Sequence, residues 1–185
     1  MTLEYTQALS SNPAPSIKPL YTEVQIKLAI REMAAELTAK YEDTYPIVIA
    51  VLEGARPFAR QMLQYLEFPL EIETIKASSY SGFDRSRVKV DANHLPETYF
   101  ENRPIIYLED IIDTGWTIHH LARLSKKYGA RSTEVYALLN KPERREADLN
   151  VPINTAFNVP NVFVVGYGLD YDGLYRELPY VGVIH

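Results

Sequence analysis

Residues 105–117 constrain this chain most: four apolar residues, Ile105, Ile106, Tyr107 and Leu108, lead into Glu109 and Asp110, then Asp113, Thr114, Gly115, Trp116 and Thr117. A short continuous apolar run reads as a strand buried on both faces, which a parallel sheet covered by helices provides. In open α/β sheets ligands bind beyond the carboxyl ends of the strands, and Glu109 and Asp110 fall there. Thr114, Gly115 and Thr117 then supply hydroxyls and a small residue where a helix opens. The unpaired N–H groups and dipole of a helix start hold a dianionic phosphate without any basic side chain. Carboxylates accept the paired hydroxyls of a ribose. Three acids within five residues repel one another unless hydroxyl donors, a metal or a protonatable ligand compensate. The pattern points to a sugar phosphate; the alternative is a charged surface turn capping a helix.

Composition narrows the partners. At 185 residues the chain suits one compact domain. Lys and Arg number 19 against 24 Asp and Glu, a net −5, so a basic nucleic-acid footprint is absent and no nucleic-acid partner is expected. Without cysteine there is no disulfide, thiolate catalysis or cysteine-ligated zinc. His119 and His120 are adjacent on one helix and lack metal-ligand spacing. With neither a bilayer-length apolar run nor a signal peptide, the cytoplasm is the expected location and no membrane partner is expected.

Residues 1–20 are rich in Ser, Pro, Thr and Asn and read as an N-terminal extension, either a mobile arm or a strap, ahead of a domain over 21–185. Thr22 and Gln25 fit a capping box before a helix whose apolar face carries Ile26, Ile30, Met33 and Leu37. Further strands are expected over 46–52, 70–76, 105–108, 134–139 and 162–165, with helices over 57–66 and 115–128. That alternation predicts an α/β fold with a mostly parallel central sheet flanked by helices on both faces. Residues 77–102 break the pattern around a short strand at 88–90, and are either a lid or a disordered loop.

The stretch from Ile105 to Thr117 resembles the phosphoribosyl pyrophosphate loop of the type I phosphoribosyltransferases. Residues 163–171 and 175–183, including Phe163, Val164, Asp170 and Arg176, are similar to the C-terminal purine-binding segment of the bacterial hypoxanthine phosphoribosyltransferases. Weaker matches at Glu53, Gly54, Ser79 and Tyr80 extend the resemblance over about 21–184. It implies the type I fold with a small hood built from the N- and C-terminal segments. It also implies purine salvage: transfer of the phosphoribosyl group of phosphoribosyl pyrophosphate to hypoxanthine, and to guanine, with release of pyrophosphate. Mg²⁺ is the implied cofactor, a 6-oxopurine the second substrate, and a homodimer or homotetramer the implied assembly. The competing reading is a regulatory protein of the same fold that senses phosphoribosyl pyrophosphate.

The resemblance implies roles residue by residue. Glu109 and Asp110 would hold the ribose hydroxyls or contact the metal through water. Thr114, Gly115, Trp116 and Thr117 would surround the 5′-phosphate, Trp116 standing where Lys is frequent. Asp113 would manage a proton at purine N7, although spacing alone equally permits a helix N-cap. Lys141 would donate to the 6-oxo group, or is a solvated lysine before Pro142. Phe163 would stack on the purine and Val164 offer backbone groups to its edge; read without the resemblance, both are core strand residues. Asp170 would help hold the metal. Glu53, Gly54, Ser79, Tyr80 and Arg176 would form the pyrophosphate loop and lid. Glu53 dissents, because relatives commonly carry a basic residue there and an acid beside pyrophosphate repels it.

Overall fold

The structure, a computed structural model, describes residues 15–79 and 88–185. Its strands are β1 (Ile17–Tyr21), β2 (Ile47–Leu52), β3 (Glu71–Ser79), β4 (Val88–Asp91), β5 (Pro104–Ile112), β6 (Ser132–Asn140), β7 (Ile153–Asn158), β8 (Val164–Val165) and β9 (Val181–Ile184). The α-helices are α1 (Glu23–Tyr41), α2 (Arg56–Leu63) and α3 (Trp116–Lys127). Thr22 and Gln25 close the expected capping box on α1.

Six strands form the main sheet in the order β4-β3-β2-β5-β6-β7, all parallel except β4. Successive residues of its central strands feed opposite cores, which is why those strands lack polar alternation. Val48, Ala50, Ile106 and Leu108 pack with Ile30 and Leu37 of α1 and Phe58 and Met62 of α2. Ile47, Ile49, Ile105 and Tyr107 pack with Ile118 and Leu121 of α3. Burying one such side chain contributes about 1.5–3 kcal/mol. Residues 105–108 are all 0% exposed, so the acids that follow them rise from the best-anchored strand.

That strand runs further than its apolar stretch suggests. Pairing with β2 ends at Ala50 and Leu108, while pairing with β6 continues to Ile112 and Asn140. Glu109 and Asp110 therefore lie within β5, not beyond it, on a stretch whose β2 side is open. The alternation of strand and helix also stops short of the expectation. β3 passes to β5 through antiparallel β4, and β6 passes to β7 through a single 3-10 turn at Pro142–Arg144. β7 is half-buried and carries Asn154, Thr155 and Asn158, so no run of apolar residues marks it in the sequence.

A second sheet of order β1-β9-β8 is the hood. β1 pairs antiparallel with β9, Ile17 opposite Ile184 and Lys18 opposite Val183, so residues 17–20 belong to the folded unit and not to an extension preceding it. The physical reason is that the outer strand hydrogen-bonds to a partner more than 160 residues away, a pairing no local pattern announces. Tyr21 continues the anchorage by stacking on Phe157, ring centroids 4.0 Å apart.

Candidate active site

The carboxyl ends of β2 and β5 and the loop after β8 enclose a cavity of about 400 Å³. Seven of the residues singled out in the sequence line it: Glu53, Gly54, Glu109, Asp110, Thr117, Asp170 and Arg176. Two glycines permit the close approach. A Cβ on Gly54 would lie 1.6 Å from Asp110 Oδ2, and one on Gly168 would lie 2.0 Å from the Gly54 carbonyl oxygen. Gly168 also has φ +99°, a conformation other residues rarely adopt. The Leu52–Glu53 peptide bond is cis.

Glu109 is 7% exposed and its Oε2 has no hydrogen-bond partner among the described residues. Burial, and then the neighbouring Asp110 charge, raise the Glu109 carboxyl well above its ordinary value. Burial raises Asp110 as well, while contacts with Glu109, the Ile111 N–H and the Arg176 charge pull it back. Glu109 lines the polar cavity with one carboxylate oxygen buried and unpartnered, a group that a hydroxyl donor would satisfy. Across the cavity Arg176 pairs with Asp170 at 2.7 Å and donates to the Gly168 carbonyl at 2.6 Å. Among the described residues no group of three His, Asp or Glu side chains is placed to cage a metal ion. The oxygen donors of Asp110 and Asp170 instead suit a hard cation that keeps water and shares phosphate oxygens with a substrate.

The acid that stood out in the sequence is paired. Glu53 accepts from Arg56 at 2.5 Å and lies 3.4 Å from Lys76, and these cations hold its carboxyl below the ordinary value.

A second cluster forms around the start of α3. The N-cap is Gly115, at φ +91°, and Asp113 does not cap the helix. Asp113 instead accepts from Arg144 Nε at 2.5 Å. Lys141 is buried, which lowers its ammonium from the ordinary value against the opposing charge of Asp113. The segment after β6 straps the turn that opens α3: the Glu146 and Ala147 N–H groups donate to the Thr114 carbonyl at 2.9 and 3.0 Å. Arg145 and Leu149 pack so close that a Cβ on Gly115 would meet each at 2.9 Å. The Trp116 indole turns to this strap, its Nε1 3.3 Å from Glu146 Oε2 and its ring edge-on to His119. Sequence reasoning missed Arg144, Arg145 and Glu146; the run of charge after Lys141 was the available signal.

Phe163 is 53% exposed, packed edge-on against Tyr171, whereas Val164 is buried in β8. Phe163 is thus not the core residue its strand position also allowed. Ser79 ends β3, and Tyr80 lies outside the described residues.

The phosphoribosyl transferase domain family matches residues 16–172. The hypoxanthine-guanine phosphoribosyltransferase of Bacillus subtilis strain 168 is 41% identical over 167 residues, 90% of this chain and 92% of that protein. A crystal structure of a Staphylococcus aureus hypoxanthine phosphoribosyltransferase superposes with a TM-score of 0.82 at 32% identity, covering 91% of each chain. The Trypanosoma cruzi hypoxanthine phosphoribosyltransferase, solved in complex with the product IMP, superposes with a TM-score of 0.82 at 28% identity over 95% of this chain and 97% of that one. With a sheet, hood and acid-lined cavity built as described and matches spanning nearly its whole length, the chain belongs to the phosphoribosyl transferase domain family.

Proposed function

We propose that this chain is a purine-salvage enzyme that transfers the phosphoribosyl group of phosphoribosyl pyrophosphate to hypoxanthine, and to guanine, giving the purine 5′-nucleotide and pyrophosphate. The observation that carries the reading is the Glu109–Asp110 pair at the open side of β5, sharing one cavity with Thr117, Asp170 and Arg176. In this reading the C1′–O bond to pyrophosphate breaks, the C1′–N9 bond forms, and the N7 proton of the purine passes to Asp113. Glu109 and Asp110 accept the ribose 2′- and 3′-hydroxyls, satisfying the orphaned Glu109 oxygen. The N–H groups and hydroxyls from Thr114 to Thr117 surround the 5′-phosphate at the helix start. Arg176 grips the departing diphosphate once it exchanges Asp170 for phosphate oxygens.

Asp113 Oδ1 accepts from Arg144 Nε, which holds the side chain in place while its second oxygen takes the purine proton. Lys141 donates to the purine 6-oxo group; adenine would place an amino donor against it. Phe163, exposed beside Tyr171, offers its ring to the base, and Val164 offers backbone groups. Ser79 and Tyr80 belong to the lid that excludes water from the reacting centre.

Mg²⁺ fits this donor set: Asp170 and, through water, Asp110 would hold it, and it would neutralise charge on the pyrophosphate leaving group. We further propose a cytoplasmic location and a homodimer or homotetramer. No helix among the described residues is long and apolar enough to cross a membrane.

The test is nucleotide synthesis from each purine with phosphoribosyl pyrophosphate and Mg²⁺. Hypoxanthine and guanine should be converted, adenine about 100-fold less efficiently. Lys141→Met should depress 6-oxopurine use while leaving phosphoribosyl pyrophosphate affinity intact. No transfer to any purine refutes the function, and equal use of adenine refutes the role of Lys141.

A further inference from the structure

Glu53, which lines the cavity, belongs to a charge arrangement that the transfer scheme leaves unused. One carboxylate is shared by two cations: Glu53 Oε2 lies 2.5 Å from Arg56 Nη2, and Glu53 Oε1 lies 3.4 Å from Lys76 Nζ. The three residues come from converging elements. Glu53 follows β2, Arg56 opens α2, and Lys76 sits near the end of β3, where it pairs in register with Leu52. All three side chains face water, with 42%, 65% and 70% exposure for Glu53, Arg56 and Lys76. Solvated pairs of this kind are weakly held, so an anion of higher charge can outcompete the single carboxylate for both cations.

Inside the cavity the balance is different. Arg176 is tied to Asp170 and to a backbone carbonyl, and Asp110 adds a further acid. A diphosphate threading past these acids needs compensating charge at its outer end. With Glu53 in place, Arg56 and Lys76 present a net charge of one; with Glu53 swung aside they present two.

We infer that Arg56 and Lys76 are the cations that receive the outer phosphate of the diphosphate group, and that Glu53 is a built-in surrogate anion that occupies them until diphosphate displaces it. The identity of the anion rests on the phosphoribosyl transfer reading; the charge logic does not. The arrangement accounts for an acid beside a polyphosphate site, since its role is to be displaced. It also has a sign that separates it from the obvious alternative. Removing a carboxylate that bound Mg²⁺ would weaken diphosphate binding, whereas removing a surrogate anion strengthens it.

The experiment is calorimetric titration of the full chain with inorganic pyrophosphate and Mg²⁺, for the wild type and for Glu53→Gln, Arg56→Gln, Lys76→Gln and the double variant Glu53→Gln/Arg56→Gln, with melting curves to confirm folding. Deleting one exposed charge at contact distance should change affinity by about three- to tenfold at low salt. Glu53→Gln should bind pyrophosphate tighter by that factor, each cation variant weaker, and the double variant should lose the gain. Added salt should shrink every difference. Weaker or unchanged binding by Glu53→Gln overturns the inference, as does unchanged binding by both cation variants. Should Glu53→Gln fail to fold, the two cation variants decide alone. A wild type that binds pyrophosphate with these responses but transfers to no purine would sink the enzymatic reading and leave the surrogate anion standing; active transfer without the Glu53 response would do the reverse.

Discussion

Replacing Glu109 by Gln should move stability and ligand affinity in opposite directions. The side chain is 7% exposed and one carboxylate oxygen has no partner, so its ionised form is poorly tolerated in the folded chain. Burial and the charge of Asp110 raise its carboxyl well above the ordinary value of 4.5. Each unit of that rise is worth about 1.4 kcal/mol against the ionised form. An acid whose pKa rises on folding binds more protons in the native than in the unfolded state, so stability falls as pH climbs from the unfolded value through the raised one. Above that window the full penalty is present, and below it none.

Glu109→Gln removes the ionisable group and keeps the shape, with an amide that can donate to Asp110. At about pH 8 the variant should melt higher than the wild type, by roughly 2–4 °C for each kcal/mol relieved in a chain of this size. Near pH 5 the gap should already be narrowing, and below about pH 4 it should close, because the wild-type carboxyl is then largely neutral in both states. Affinity for IMP should fall at the same time. A hydrogen bond to a charged acceptor contributes about 1.5–3 kcal/mol, which corresponds to roughly 10- to 150-fold. Thermal melts across that pH range and calorimetric titration with IMP measure both effects. A variant less stable than the wild type at the alkaline end, or a gap that does not vary with pH, would refute the account of Glu109 as a buried acid held for ligand hydroxyls.

Asp113→Asn should slow transfer by about a hundredfold or more while IMP still binds, and unchanged turnover under conditions where chemistry limits the rate would reduce Asp113 to the partner of Arg144. The two close-packed glycines should respond differently. Gly168→Ala sets a Cβ 2.0 Å from a backbone oxygen at φ +99° and should cost about 2–4 kcal/mol in denaturant titration. Gly54→Ala meets the rotatable end of Asp110, so it should cost about 1 kcal/mol of stability but weaken phosphoribosyl pyrophosphate binding; a larger stability loss than at Gly168 would contradict this. Trp116 is the only tryptophan, and its indole touches the strap over the turn that we propose holds the 5′-phosphate. IMP should therefore shift its fluorescence and hypoxanthine alone should do so much less, whereas equal responses would place the indole nearer the base.

Local physics made part of this protein legible from its residues. The capping box of Thr22 and Gln25 is a contact between near neighbours, and the apolar run at 105–108 suits a strand buried on both faces, as a parallel sheet between helices provides. The turn from Asp113 through Gly115 to Thr117 reads as a helix start, and α3 begins there at Trp116. Other features required the chain to be folded. β7 carries too few apolar residues to stand out because it is the last strand of the sheet among the described residues and its side chains are only half-buried. β1 exists only because β9 offers it a ladder from the far end of the chain. The same holds for charge. A sequence states the sign of Glu53 and Asp113, but their chemistry depends on which cations come within a few ångströms. Arg56 and Lys76 reach Glu53, and Arg144 reaches Asp113, through turns and strand pairings whose geometry the tertiary structure alone decides. Coulomb energy falls with distance and with exposure, so the identity of a charged residue fixes its potential partners and only its folded surroundings choose among them.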